Sequence, residues 1–207
     1  MPNIEVPNPI TNSHDFCLRI LCELRGLDSE DRICETLKEL QPRLVDLRES
    51  YQSNNEIEVE YEGGICEAYL LGYVPYYIQQ AHKLFENYLT TRSFADSITV
   101  VFLASGPVPE AVAFTDFLIK HFPETRAKFL FFDLRDLHWE PLRNKMVQLG
   151  CEGRSENVVT ESHFLDLLNP DSLEQHVDIF KKTDIVVAQN CVNELIDSRG
   201  TLLANFQ

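Results

Sequence analysis

The chain has 207 residues, of which 44% are hydrophobic and 25% are charged, as expected of a globular protein with a packed core. Its formal net charge of -15 at pH 7 disfavours direct nucleic-acid binding, because phosphate contacts need a basic surface. No apolar run approaches the ~18 residues of a membrane span, and no two of the six cysteines form a C-x-x-C pair. We therefore expect a reduced, cytoplasmic protein without a membrane segment or a zinc site.

The first part of the chain, residues 1–90, carries helical patterns. One helix is predicted to begin near Ser13, a second near Ser29, and a third covers residues 65–90, because apolar and aromatic residues share one helical face. The sequence therefore predicts an N-terminal helical segment over residues 1–90.

From Ile98 onwards, apolar strand-like runs alternate with amphipathic helices. Strands separated by helices predict a parallel sheet with right-handed crossovers. The predicted fold class is α/β: a Rossmann-like parallel sheet with flanking helices over residues 98–207, preceded by the helical segment. The predicted strands are 98–103, 128–132, 157–160 and 184–189, and the predicted helices are 109–121, 139–148, 172–181 and 191–197.

A short turn of small residues, Ala104-Ser105-Gly106-Pro107, follows the first predicted strand and leads into a helix. Such a turn lets the backbone approach a ligand at the carboxyl end of the strand. Asp133 ends the second predicted strand, where an acidic residue is the usual partner of ribose hydroxyls. These two signals point to a ligand that contains a nucleoside.

Polar residues also follow the third and fourth predicted strands, at Asp166 and at Gln189-Asn190. This order of sites over residues 65–207 resembles the class I S-adenosylmethionine-dependent methyltransferases. The sequence ASGPVPE, which begins at Ala104, is similar to the G-x-G-P-x-P-E variant of that family's glycine motif. The resemblance implies methyl transfer from S-adenosylmethionine to an acceptor that the sequence does not identify.

The resemblance also implies a role for each position. It assigns the methionine part of the cofactor to residues 104–107, the ribose to Asp133, the adenine amino group to Asp166, and the border of the transferred methyl to Gln189 and Asn190. The cofactor would carry the reactivity, and the protein would supply alignment and desolvation.

The motif is degenerate, because Phe102 stands where the family has an acid, and Ala104 and Val108 stand where it has glycines. No catalytic residue is assigned, and Glu194 is the nearest candidate for a general base. The family's sheet has seven strands, whereas the predicted strands stop after the fourth. We therefore expect a fragment that self-associates through an open sheet edge.

Two other function classes stay open. One is a non-catalytic Rossmann-like domain that binds a partner protein, which the lost glycines and the missing strands would explain. The other is a nicotinamide-dependent oxidoreductase, which also uses a turn and a ribose acid but whose G-x-G-x-x-G pattern is absent from this sequence.

Overall fold

The computed structural model describes residues 10, 12–52, 64–134 and 136–189. Asn190, Glu194 and the helix predicted over residues 191–197 lie outside the described residues. None of the described helices is long and apolar enough to cross a membrane.

Helices precede the sheet, as predicted. Asn12 caps the first helix by accepting backbone N–H groups of its first turn, and Gly26 ends it in the left-handed conformation. The single helix predicted over residues 65–90 is instead two helices, because Tyr73 leaves helical geometry (φ -125°, ψ -44°) and Pro75 lies in the first turn of the second helix. The helices are α1 (Ser13–Arg25), α2 (Glu30–Gln52), α3 (Ile65–Gly72) and α4 (Val74–Leu89).

The described strands form one parallel sheet in the order β3-β2-β1-β4. With the helices on its faces, this sheet confirms the predicted α/β, Rossmann-like fold class. The third strand is longer than predicted, because its pairing with β2 continues to Phe164. Self-association through an open edge stays a prediction, since the chain beyond Gln189 lies outside the described residues. The strands are β1 (Ser97–Leu103), β2 (Arg126–Asp133), β3 (Val158–Phe164) and β4 (Ile185–Ala188).

Helices also connect the strands. The helix predicted over residues 172–181 is two short helices that break at His176, whose ring contacts the carbonyl oxygen of Phe164 at 3.1 Å. A π-helical turn, Gln148–Glu152, ends the connection between β2 and β3. The connecting helices are α5 (Pro109–His121), α6 (Asp136–Val147), α7 (Pro170–Glu174) and α8 (Val177–Phe180).

The main hydrophobic core lies on one face of the sheet and includes buried residues of α1, α4, α5 and α6, such as Ile20, Ile78 and Phe114. A smaller core lies on the other face, where Val101 and Phe132 pack with residues of α8 and of the loop after β3. The main core thus contains side chains from both predicted segments, and the division into residues 1–90 and 98–207 stays a prediction.

Candidate functional site

The carboxyl ends of the strands bring most of the predicted site residues to one edge of the sheet. The pairing register aligns Leu103, the last residue of β1, with the ends of both β2 and β4. Three predicted parts of the site therefore lie side by side: the turn at residues 104–107, Asp133 and Gln189. The loop that carries Asp166 reaches the same edge, because the N–H of Leu165, the residue before Asp166, donates to the carbonyl oxygen of Asp133 at 3.2 Å.

The turn after β1 alternates between ordinary and left-handed backbone conformations. Ala104, Gly106 and Val108 have φ values of 48°, 46° and 61°. L-residues disfavour this region, and a β-branched valine does so most strongly, at a cost of about 1–3 kcal/mol for each strained residue. Ala104 and Val108 are also the positions at which the sequence motif lacks its glycines. The backbone therefore follows the path of a glycine-rich turn without having those glycines.

Packing explains how the two strained residues are held. Val108 is fully buried in the main core, and Ala104 packs against the smaller core on the opposite face of the sheet. Burial of a valine side chain is worth about 1.5–3 kcal/mol, which is comparable with the strain at Val108.

Asp133 joins the turn to the second strand. Its Oδ2 accepts a hydrogen bond from the N–H of Gly106 at 2.8 Å, and the residue is only 8% exposed. The N–H of Ser105 donates to the carbonyl oxygen of Phe132 at 3.1 Å. The predicted ribose acid and the predicted glycine turn are therefore in direct contact.

An aromatic side chain of α6 lies against Gly106. A Cβ at this glycine would lie 3.6 Å from the indole of Trp139, which is itself 4% exposed. The Trp139 ring meets Tyr69 edge to face at 5.2 Å between centroids, and Tyr69 stacks on Tyr73 at 5.3 Å. The turn thus lies against Trp139 of α6, whose ring joins the aromatic residues Tyr69 and Tyr73 of the N-terminal segment.

Asp166 lies in a locally bonded loop. Its Oδ1 accepts from the N–H of Leu168 at 2.9 Å, and its own N–H donates to Ser172 Oγ at 3.1 Å. These bonds fix the half-buried carboxylate before α7 begins. Its contact with an adenine amino group stays a prediction.

Gln189 bridges the end of β4 to helix α4. Its Nε2 contacts the carbonyl oxygen of Tyr77 at 3.5 Å and donates to Gln80 Oε1 at 3.2 Å. Its Oε1 is buried and has no hydrogen-bond partner among the described residues. Asn190, the neighbouring predicted site residue, lies outside the described range.

Glu110 was not predicted as a site residue, although it lies in the first turn of α5, directly after the glycine turn. It is 7% exposed, and burial raises its pKa to about 8, although a bond to its own backbone N–H acts in the opposite direction. Nearby, the hydroxyl of Ser105 is buried without a hydrogen-bond partner among the described residues. Val108, the residue that precedes α5, supplies no side-chain cap to the helix. The edge therefore holds buried polar groups that the described chain leaves unsatisfied.

No protein-family model, curated protein or solved structure matches the chain. Among the residues that the structure describes, no group of three or more His, Cys, Asp or Glu side chains could hold a metal ion. Function is therefore inferred from the geometry of the chain itself.

Proposed function

We propose that the chain binds S-adenosylmethionine at the carboxyl edge of the sheet and transfers its methyl group to an acceptor of unidentified class. The main support is the turn after β1, which keeps left-handed backbone at Ala104, Gly106 and Val108 and is tied to Asp133. The strand order reverses at β1, with β2 on one side and β4 on the other. Ligands of open α/β sheets bind at such a switch point.

The polar groups at this edge suit the cofactor. The Asp133 carboxylate would accept from the ribose hydroxyls, while the buried Ser105 Oγ and Gln189 Oε1 offer hydrogen-bonding capacity that the described residues do not use. When bound, S-adenosylmethionine supplies an electrophilic sulfonium methyl for in-line displacement. The residues of this chain would bind and orient the ligand and exclude water from it.

The proposal is tested by calorimetric titration with S-adenosylhomocysteine. The parent should bind, and Asp133→Asn should weaken binding by about 10- to 100-fold, because a charge-assisted hydrogen bond worth about 1.5–3 kcal/mol is lost. Asparagine keeps an oxygen that can accept from Gly106 N–H, so the turn is preserved. Asp171→Asn, an exposed position in α7, is the matched control and should bind like the parent.

A parent chain that unfolds cooperatively but releases no heat with S-adenosylhomocysteine would contradict the proposal. Binding of NAD in its place would favour the oxidoreductase alternative.

One observation favours a non-catalytic, partner-binding domain as the second candidate. Phe102 occupies the position in β1 where the methyltransferase family has an acid. It is 1% exposed, and its ring lies 5.3 and 5.7 Å from the rings of Phe129 and Phe131 between centroids. The described part of β1 thus presents no carboxylate at this position. Binding of S-adenosylhomocysteine separates the two candidates, because a domain that only binds a partner protein has no use for it.

A further inference from the structure

We propose that Glu110, Gln189 and Ser105 form a subsite for the ammonium group of the ligand's amino-acid moiety, with the carboxyl supplied by helix α5 instead of strand β1. This inference rests on the proposed function. It begins from two buried atoms without a hydrogen-bond partner among the described residues, Ser105 Oγ and Gln189 Oε1, and from the buried carboxyl of Glu110 nearby.

The position of Glu110 follows from helical spacing. Phe114, four residues further along α5, meets Phe85 of α4 at 4.9 Å and Phe129 of β2 at 5.8 Å between ring centroids. Residues i and i+4 share a helix face. Glu110 therefore lies on the side of α5 that faces α4 and the sheet, one turn nearer to the carboxyl edge.

Gln189 reaches the same region from the sheet. Helix α4 leads into β1 and α5 leaves it, so both helices run opposite to β1 and begin at the carboxyl edge. Gln189 contacts Tyr77 and Gln80 in the first half of α4. Because the Tyr77 carbonyl can only accept, the amide nitrogen must face it, and Oε1 is left as the unbonded acceptor. Glu110 in α5 and Gln189 after β4 therefore both lie toward α4, near the carboxyl edge of the sheet.

The chemistry of these groups selects a cation with several N–H donors. A carboxylate and an amide oxygen accept hydrogen bonds, and the Ser105 hydroxyl can also accept. The Glu110 carboxyl has no hydrogen bond or ion pair to another described residue, and so no basic partner among them. An ammonium group brings three donors and one positive charge, which would satisfy all three groups and keep the buried carboxylate ionised. The raised pKa of Glu110, about 8, agrees with a carboxyl that lacks a cation in the free chain.

The test compares S-adenosylhomocysteine with the same molecule lacking only its amino group, by calorimetry. The parent should prefer the amino-bearing ligand by about tenfold or more. Glu110→Gln should weaken the binding of S-adenosylhomocysteine by about 10- to 100-fold and should remove most of the preference for the amino-bearing ligand. Ser105→Ala should act in the same direction with a smaller loss. Glu124→Gln, an exposed position in the turn before β2 at the opposite edge, should match the parent.

Equal weakening of both ligands by Glu110→Gln, or of neither, would overturn the subsite while leaving the proposed function in place. Failure of the parent to bind S-adenosylhomocysteine would overturn the proposed function and the subsite together. Should Glu110→Gln not unfold cooperatively, the Ser105→Ala comparison decides, and an unchanged preference for the amino group would overturn the subsite.

Discussion

Helix α5 carries two buried carboxyl groups, less than two turns apart, that differ in their partners. Asp116 accepts from the N–H of Ile10 at 3.0 Å, pairs with His82 at 3.0 Å, and pairs with Arg154. The Glu110 carboxyl has no hydrogen bond or ion pair to another described residue. Because a buried carboxylate is costly without partners, Asp116 shows how this fold satisfies one, and Glu110 marks the end of α5 where it does not.

The largest expected effect comes from removing the charge of Asp116, the carboxyl that has partners. Asp116→Asn should lower the free energy of unfolding by about 3–5 kcal/mol, because Arg154 and His82 lose their buried carboxylate. Chemical denaturation measures this loss. Glu86→Gln, which removes a more exposed partner of Lys120, should cost about 1 kcal/mol or less. Equal losses for the two variants would contradict the greater cost expected for removing the buried carboxylate of Asp116.

At Glu110, removal of the charge is expected to raise the free energy of unfolding instead of lowering it. The pKa of Glu110 is raised to about 8 in the folded chain from an ordinary value of 4.5, so the folded state holds this proton more tightly. The stabilisation is complete below about pH 4.5 and is lost as the pH rises to about 8, at up to about 1.4 kcal/mol per pH unit.

Glu110→Gln removes this dependence. It should therefore lie within about 1 kcal/mol of the parent at pH 5 and exceed it at pH 8 by about 4 kcal/mol in free energy of unfolding. Denaturant titrations of both chains at the two pH values measure the difference. A variant less stable than the parent at pH 8 would show that the carboxylate has a stabilising partner.

Much of the fold was predictable because apolar runs such as residues 98–103 alternate with helical patterns. The length of β3 was underestimated, since Glu161 and Ser162 interrupt its apolar pattern, and only pairing with β2 shows that the strand continues. The break at Tyr73 was also missed, because aromatic residues on both sides of it continue one helical pattern.

The site was predictable where chain position decides it. The turn at residues 104–107 and Asp133 each follow a strand, and parallel strands end at one edge. Glu110 was missed for a physical reason: an acid in the first turn of a helix is ordinarily an exposed partner of the helix dipole. Its burial depends on the tertiary packing around the start of α5, which no local pattern of the sequence encodes.

Backbone strain gives a second contrast, between the turn before α5 and the helix itself. Ala104, in the turn before α5, has φ 48° and is partly exposed. Because glycine adopts this left-handed conformation without strain, Ala104→Gly should stabilise the chain by about 1 kcal/mol. Ala111, within α5, is fully buried and helical, so Ala111→Gly should destabilise by about 1 kcal/mol or more. Thermal unfolding of both variants compares the signs. Destabilisation by Ala104→Gly would mean that the turn is not strained there.

The smallest effect is a difference in reactivity between two thiols, Cys151 near Asp116 and Cys66 in α3. Cys151 is fully buried beside Thr115 at the Asp116 end, and burial raises its pKa to about 12. Cys66 is half-buried near His138, with a pKa raised by burial to about 11. Because the thiolate is the nucleophile, Cys66 should be alkylated faster than Cys151. The exposed Cys34 should react before either, and mass spectrometry of the labelled peptides gives the three rates.

In the Asp116→Asn variant, the order of the thiol alkylation rates tests the comparison between the Asp116 and Glu110 carboxyls. If the ion pairs of Asp116 hold the π-helical turn against α5, their loss should speed alkylation of Cys151, which lies in that turn, and leave Cys66 unchanged. Equal acceleration of both thiols would instead indicate global unfolding. A Cys151 that reacts as fast as Cys34 in the parent would show that the Asp116 end is already open, and the contrast between the two carboxyls of α5 would no longer stand.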